Sequence, residues 1–239
     1  MNRLSLLLAS RSPRRRELVA LLGLPFDVTT ADVSEDPLAN ESPAQVVTRL
    51  SQAKACANSN ATIAAAIIIA CDTVVALDGE ILGKPRDGVE ATEMLRRLRG
   101  RAHAVYSAVT LLEPGTGRTS TEVAKTQLVM RTYTDAEMAA YVASGDPLDK
   151  AGAYAIQHPG FHPVASLRGC YANVVGLPLC HLTRGLRSLG VEPPHDVPTA
   201  CQAHTGRQCL VYGAVLGCDD KERCQRRMIN DQLPMTNDQ

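Results

Sequence analysis

Between Ile67 and Leu77 every residue is apolar except the adjoining Asp72 and Thr73. A run this short and this rich in β-branched residues is a buried strand. Extended back to Ile63, it still falls short of the ~20 residues that a membrane-spanning helix needs. The strand must therefore lie inside a sheet with apolar cover. An ionised carboxylate in that setting is costly unless it is paired or bound to a metal. Asp72 is either such a group or an acid at a strand end, satisfied by backbone N–H groups.

The flanking sequence supplies the cover. Leu4 to Ala9 reads as a second buried strand and leads into Ser12-Pro13, an N-cap residue followed by a first-turn proline. Gly23 and Pro25 end that helix. Ser42-Pro43 with Gln45 forms a capping box for a helix to about Ala57. Asp87 caps a third helix, stopped by Gly100. Val105 to Leu112 and Glu122 to Arg131 read as paired strands, and Thr134 with Glu137 caps the helix Asp135 to Ala143. Ala153 to Gln157 and Val164 to Leu167 read as short strands, and a last helix falls near Pro178 to Leu189. The alternation predicts an α/β or α+β fold with a mixed sheet.

The loop after the first strand carries Ser10, Arg11, Ser12, Arg14, Arg15 and Arg16. A helix N-terminus already holds unpaired N–H groups and partial positive charge, so cations there raise the potential unless an anion sits among them. Guanidinium forks match phosphate oxygens. The loop is a phosphate cradle or a solvated basic turn, and it lacks the Walker A pattern. In the second helix Lys54 follows Leu50 at i+4 and Val47 at i+7, so it lies on the apolar stripe. It either snorkels to the surface or points into a cleft. Lys84 sits in the stiff turn Leu82-Gly83-Lys84-Pro85.

Composition closes off other classes. Lys plus Arg and Asp plus Glu number 25 each, and there is no Trp. A chain without basic excess or aromatic platforms is not built to coat nucleic acid. The opening apolar run is too short for a secretory signal, and four arginines follow at once, which predicts a cytoplasmic protein without a membrane anchor. After Gly190 the texture becomes polar and Cys-rich. Residues 191–239 read as a separate extension, introduced by Val191 to Pro198, which looks like a linker. Cys201, His204, Cys209, Cys218 and Cys224 supply enough soft ligands for zinc, on no standard finger spacing. A disordered or loosely packed tail is the other reading.

Five runs in order resemble the Maf family of nucleoside triphosphate pyrophosphatases: Leu8 to Leu18, Ala70-Cys71-Asp72-Thr73-Val74-Val75, Leu82-Gly83-Lys84-Pro85, Asp149 to Gln157, and Asn173 to Leu179. The resemblance covers residues 4 to about 189. It implies a two-lobed α/β fold of the Maf/ITPase type, an elongated mixed sheet flanked by helices with the ligand in a cleft between the lobes, in residues 1–190, usually as a homodimer. It implies hydrolysis of a triphosphate to the monophosphate and pyrophosphate with a divalent cation, Mg²⁺ or Mn²⁺. By position, Asp72 is the catalytic base, Arg14, Thr73 and Gln157 set substrate choice, and Ser10, Arg15, Glu35, Lys54 and Lys84 are further polar positions of the cleft. Glu35, with Asp72, is the candidate metal ligand; an exposed loop acid is its other reading.

The run ending in Gln157 is similar to the branch that acts on dTTP and UTP. Two departures stand out. His158-Pro159 follows Gln157 where the family usually continues with Gly, and Val164-Ala165-Ser166-Leu167 lacks an expected acid beside the Val. His158 and His162 either replace that acid or lie in a surface loop. The altered segment after Gln157 keeps open a nucleotide-binding regulator of cell division with little catalysis; a pyrophosphatase for methylated GTP is a third reading.

Overall fold

The strand that contains Asp72 is the seam of the molecule. In the computed structural model, which describes residues 5–30, 32–35, 38–59 and 66–217, this strand is β3 (Ala66–Leu77). On one side it pairs in parallel with β1 (Ser5–Ala9), which pairs in parallel with β2 (Phe26–Thr29). On the other side it pairs antiparallel with β5 (Ala102–Glu113), then β6 (Arg118–Met130) and β7 (Val164–Arg168). Short β4 (Glu80–Leu82) folds back on the end of β3. The described sheet thus has seven strands, joined by two parallel and four antiparallel pairings.

The helices begin where their caps predict. Ser12 Oγ accepts from the Arg15 backbone N–H at the start of α1 (Pro13–Ala20). Ser42 and Gln45 form the reciprocal box that opens α2 (Pro43–Cys56), and Asp87 caps α3 (Gly88–Leu98). Thr134 and Glu137 box α4 (Asp135–Ala143). Tyr171–Val175 forms short α5, and α6 spans Leu179–Ser188.

Two cores lie along the same long strands. Near the start of β3, Leu6, Leu8, Ile67, Ile69, Val109 and Leu111 pack under α1 and α6, against Leu18, Leu22, Leu182 and Leu186. Near its end, Val75, Leu77, Val105 and Leu128 pack with α3 and α4 through Leu95, Leu98, Tyr133 and Tyr141. Side chains alternate along a strand, so the other face of β3, through Val74 with Ala108, meets Val46, Val47 and Leu50 of α2. β1 stops at Ala9, opposite Ala70, while β3 continues to Leu77. Asp72 and Thr73 therefore lie just past the end of the parallel strand, between the two cores. Open α/β sheets bind ligands at such a point.

Two expectations need correction. Ala153 to Gln157 is not a strand. A short 3-10 turn, Asp146–Asp149, precedes it, and a second, Ala151–Ala153, takes in its first residue. Gly152 at φ +69° and Ala153 at φ +60° are successive left-handed residues, which turn the chain away from a ladder. Nor is the start of the extension loose. Asp196 caps α7 (Val197–Thr205), Val197 is buried in the first core, and α8 spans Tyr212–Leu216. The His195 ring lies over Gly23, where a Cβ would stand 2.6 Å from it. Among the described residues no group of three or more His, Cys, Asp and Glu could hold a metal, which covers Cys201, His204 and Cys209. Cys201 instead packs against the first core, and burial pushes its thiol up to about 11. Cys218 and Cys224 lie outside the described residues. Among those described, no helix is long and apolar enough to cross a membrane.

Candidate active site

A cleft of about 620 Å³ opens where β1 ends, lined by every site residue named from the sequence: Ser10, Arg14, Arg15, Glu35, Lys54, Asp72, Thr73, Lys84 and Gln157. The end of β1 exposes both faces of β3 at once. Asp72 comes from the α2 face and Thr73 from the α1 face.

On the α2 face the cleft holds an ion-pair triad. Lys54 Nζ donates to Asp72 Oδ1 at 2.6 Å and to Glu35 Oε1 at 2.6 Å. The Lys54 and Asp72 side chains are only 10% and 9% exposed, whereas Glu35 is 51% exposed. Lys84 Nζ stands 3.8 Å from Glu35 Oε2. Burial alone would lower the Lys54 pKa, but the charge and hydrogen bond of Asp72, then those of Glu35, hold it above its ordinary value. Burial likewise pushes Glu35 up, and Lys54, Lys84 and Arg15 more than offset this, leaving it below the usual carboxylate range. The apolar-stripe lysine thus points into the cleft rather than to the surface.

On the α1 face Arg15 organises the loop. Its Nε donates to the Gly176 carbonyl at 2.9 Å and its Nη1 to the Cys71 carbonyl at 2.7 Å. Nη1 also donates to Ser10 Oγ at 3.4 Å, and Nη2 to Thr73 Oγ1 at 3.1 Å. Past Ala9 the edge of β3 has lost its neighbour, and the guanidinium takes over the Cys71 carbonyl. With four of its five N–H donors engaged inside the protein, Arg15 shapes the wall and lends its charge more than it offers a free fork. Arg14 is the better placed fork: its Nη2 lies 4.0 Å from the exposed Asp149, and its Nε is buried with no hydrogen-bond partner among the described residues.

Three participants escaped the sequence. Gly176, at φ +120°, presents its carbonyl to Arg15, to Cys71 Sγ at 3.1 Å and to Thr73 Oγ1 at 3.4 Å. Ser107, fully buried on β5, bonds Thr73 Oγ1 at 2.8 Å and donates to the Asn173 carbonyl at 3.2 Å. Tyr154 lines the cleft and its hydroxyl meets His103 Nε2 at 2.7 Å. A hydroxyl in the apolar run of β5 was the available sign for Ser107; the positive φ of Gly176 had none.

The carboxylates suit a hard divalent cation. Asp72 and Glu35 already share one cation, the Lys54 ammonium, and Mg²⁺ is commonly held by one or two carboxylates together with substrate phosphates. His158 and His162 do not take part: His158 Nδ1 accepts from the backbone N–H groups of Gly160 and Phe161.

Residues 5–189 match the family described as Maf-like protein. A dTTP/UTP pyrophosphatase of Salinibacter ruber is 48% identical over 184 residues, covering 77% of this chain and 90% of the relative. Its counterpart in Carboxydothermus hydrogenoformans is 45% identical over 77% of this chain and 97% of its own length. A third, from Geobacter sp. strain M21, is 42% identical over 80% of this chain and 98% of the relative.

Proposed function

From the premise that this chain belongs to the Maf-like protein family, we propose that it hydrolyses nucleoside triphosphates, dTTP and UTP foremost, to the monophosphate and pyrophosphate. The observation that carries this reading is the buried Lys54–Asp72 pair at the mouth of a cleft lined by Arg14, Arg15 and Lys84. The relatives named dTTP/UTP pyrophosphatase support the substrate.

Phosphoryl attack needs an in-line water, a group that accepts its proton, and positive charge around the phosphate oxygens. In this reading Asp72 orients the water and takes its proton as the oxygen bonds to the α-phosphorus. The α–β anhydride bond breaks and the electron pair leaves with pyrophosphate. Lys54 holds Asp72 fixed in direction through their hydrogen bond. Arg14 and Lys84 grip the polyphosphate, while Ser10 and Arg15 shape the loop beneath it. Gln157 both donates and accepts, which matches a pyrimidine edge, and Thr73 abuts the base or sugar. Asp72 and Glu35 would hold the divalent cation, Mg²⁺ or Mn²⁺, whose contribution is neutralisation of phosphate charge.

Residues 1–190 form the catalytic unit in this reading, supported by the family match, and residues 191–239 an extension. We also propose a homodimer, as the family resemblance implies, located in the cytoplasm. The test is pyrophosphate release from a panel of pyrimidine and purine triphosphates with Mg²⁺ or Mn²⁺. Release from dTTP and UTP that Asp72→Asn abolishes is expected. Binding of dTTP without release, or release that Asp72→Asn leaves unchanged, overturns the reading.

A further inference from the structure

The residue after Gln157 departs from the family pattern, and its ring has a definite task. His158 Nδ1 accepts two backbone hydrogen bonds, from Gly160 at 3.2 Å and Phe161 at 3.0 Å. Asn or Asp side chains usually fill this role in tight turns. The imidazole meets the Tyr141 ring edge-on at 4.7 Å, and Tyr141 stacks on Phe161 at 4.3 Å. Tyr141 also accepts the Ala155 backbone N–H at 2.9 Å and donates to Asp146 Oδ2 at 2.7 Å. Farther along, Arg131 donates to the carbonyls of Phe161 and His162, both at 2.8 Å. Gln157 is thus suspended between Ala155, held by Tyr141, and a turn held by His158.

We propose that His158 is a positioning residue for the nucleobase: its neutral Nδ1 fixes the turn that aims Gln157 into the cleft. The inference rests on the reading of Gln157 as the base-recognising group. Only the tautomer with its proton on Nε2 can do this. Protonation puts an N–H opposite two N–H donors, so both bonds are lost together and the turn loosens. The group facing the imidazole is the Tyr141 ring on α4; the charged groups of the elements packed around it are Asp146, which accepts from Tyr141 and Lys150, and Arg131, which binds the loop at the His162 carbonyl and pairs with Glu137. Asp146 is a carboxylate close enough to feel the His158 charge.

The consequence is base recognition that weakens as pH falls, while the catalytic triad on the other wall is untouched. KM and kcat for dTTP are measured on the full chain at about pH 8 and about pH 5.5, spanning the range in which imidazoles change charge. Four proteins are compared: wild type, His158→Asn, His158→Ala and Gln157→Ala. His158→Asn keeps an acceptor that does not titrate. It is expected to hold KM within about twofold of wild type at pH 8. The further rise in KM that wild type shows at pH 5.5, about fivefold for two lost backbone hydrogen bonds, is expected to be absent from it. His158→Ala is expected to raise KM about fivefold at pH 8 with kcat little changed, and to narrow the preference for dTTP over dGTP.

An acid-dependent rise in KM that is the same in His158→Asn and wild type overturns the proposal. So does a pH 8 KM for His158→Ala equal to that of wild type when Gln157→Ala raises it. If Gln157→Ala itself leaves KM and base preference unchanged, the base-recognition reading of Gln157 has failed instead, and this inference falls with it.

Discussion

Replacing Lys54 by Met tests the centre of the site. The substitution keeps the length and apolar stem of the side chain and removes only the ammonium that lies 2.6 Å from both Asp72 and Glu35. Glu35 is half exposed, so its half of the triad is worth about 0.5 kcal/mol. Asp72 is different. It is 9% exposed, and breaking a buried pair leaves an uncompensated carboxylate at a cost of about 3–5 kcal/mol. Water in the cleft reaches one side of Asp72, which argues for the lower end, about 3 kcal/mol. For a chain of this size that lowers the thermal midpoint by about 6–12 °C. The Lys54 pKa is raised on folding, so its stabilisation is complete below the unfolded lysine value of about 10.4 and is lost as pH rises through the folded one. The Glu35 pKa is lowered, so its contribution is present above about 4.3 and fades as pH falls through the folded value. The difference between wild type and Lys54→Met is therefore flat between about pH 7 and 9 and shrinks in acid, where protonation relieves the unpaired carboxylate of the variant. Urea denaturation of wild type, Lys54→Met, Asp72→Asn and the double variant measures it. Removing the Asp72 charge relieves the penalty, so the cycle is expected to show a coupling of about 2 kcal/mol. A loss below about 1 kcal/mol in Lys54→Met, or a cycle additive within about 0.5 kcal/mol, would refute the reasoning.

Gly152→Ala is expected to cost about 2–4 kcal/mol by denaturation, because the position needs φ +69° and a Cβ there would lie 2.9–3.1 Å from the Val75 side chain. His103 is buried against Tyr154, and burial pushes its pKa down to about 4. The unfolded chain then binds the extra proton, so stability falls with acid by about 2 kcal/mol between pH 7 and 5, a slope that His103→Gln should remove in paired urea titrations. Ending the chain at Gly190 uncovers the pocket filled by Val197 and removes the His195 Nδ1 bond to the Leu21 carbonyl and the Arg184 bond to Val215. A loss of about 2–4 kcal/mol in the thermal melt is expected, with dTTP turnover retained at temperatures well below the midpoint.

Much of this arrangement can be read from residue order because local signals agreed with tertiary demand. The strand around Asp72 is announced by its β-branched neighbours, and four helix starts by caps that the structure uses as expected. Lys54 was marked by its place on an apolar stripe, from which it could snorkel to the surface or point into a cleft; its bond to Asp72 decides for the cleft. What stayed hidden depends on distant contacts. Ala153 has no residue-level reason to adopt a left-handed conformation; it does so because Gly152 and the packing on Val75 turn the chain there. The carbonyl of Gly176 matters only because Arg15 reaches it across the fold. The Asp196-Val197-Pro198 start of α7 carries an N-cap acid and a first-turn proline, but the preceding Pro193-Pro194 made the whole segment look like a linker.

The Gly176 carbonyl, with Arg15, Cys71 and Thr73 gathered on one oxygen, has a consequence for anyone recombining relatives of this chain. Three stretches more than fifty residues apart in the sequence converge on a single acceptor with two lone pairs. Splicing in a foreign segment around residues 171–178 would shift that oxygen and swing the opening-loop guanidinium with it. Chimaeras cut between these stretches should lose activity even when each parent is fully active, and moving all three together should restore it.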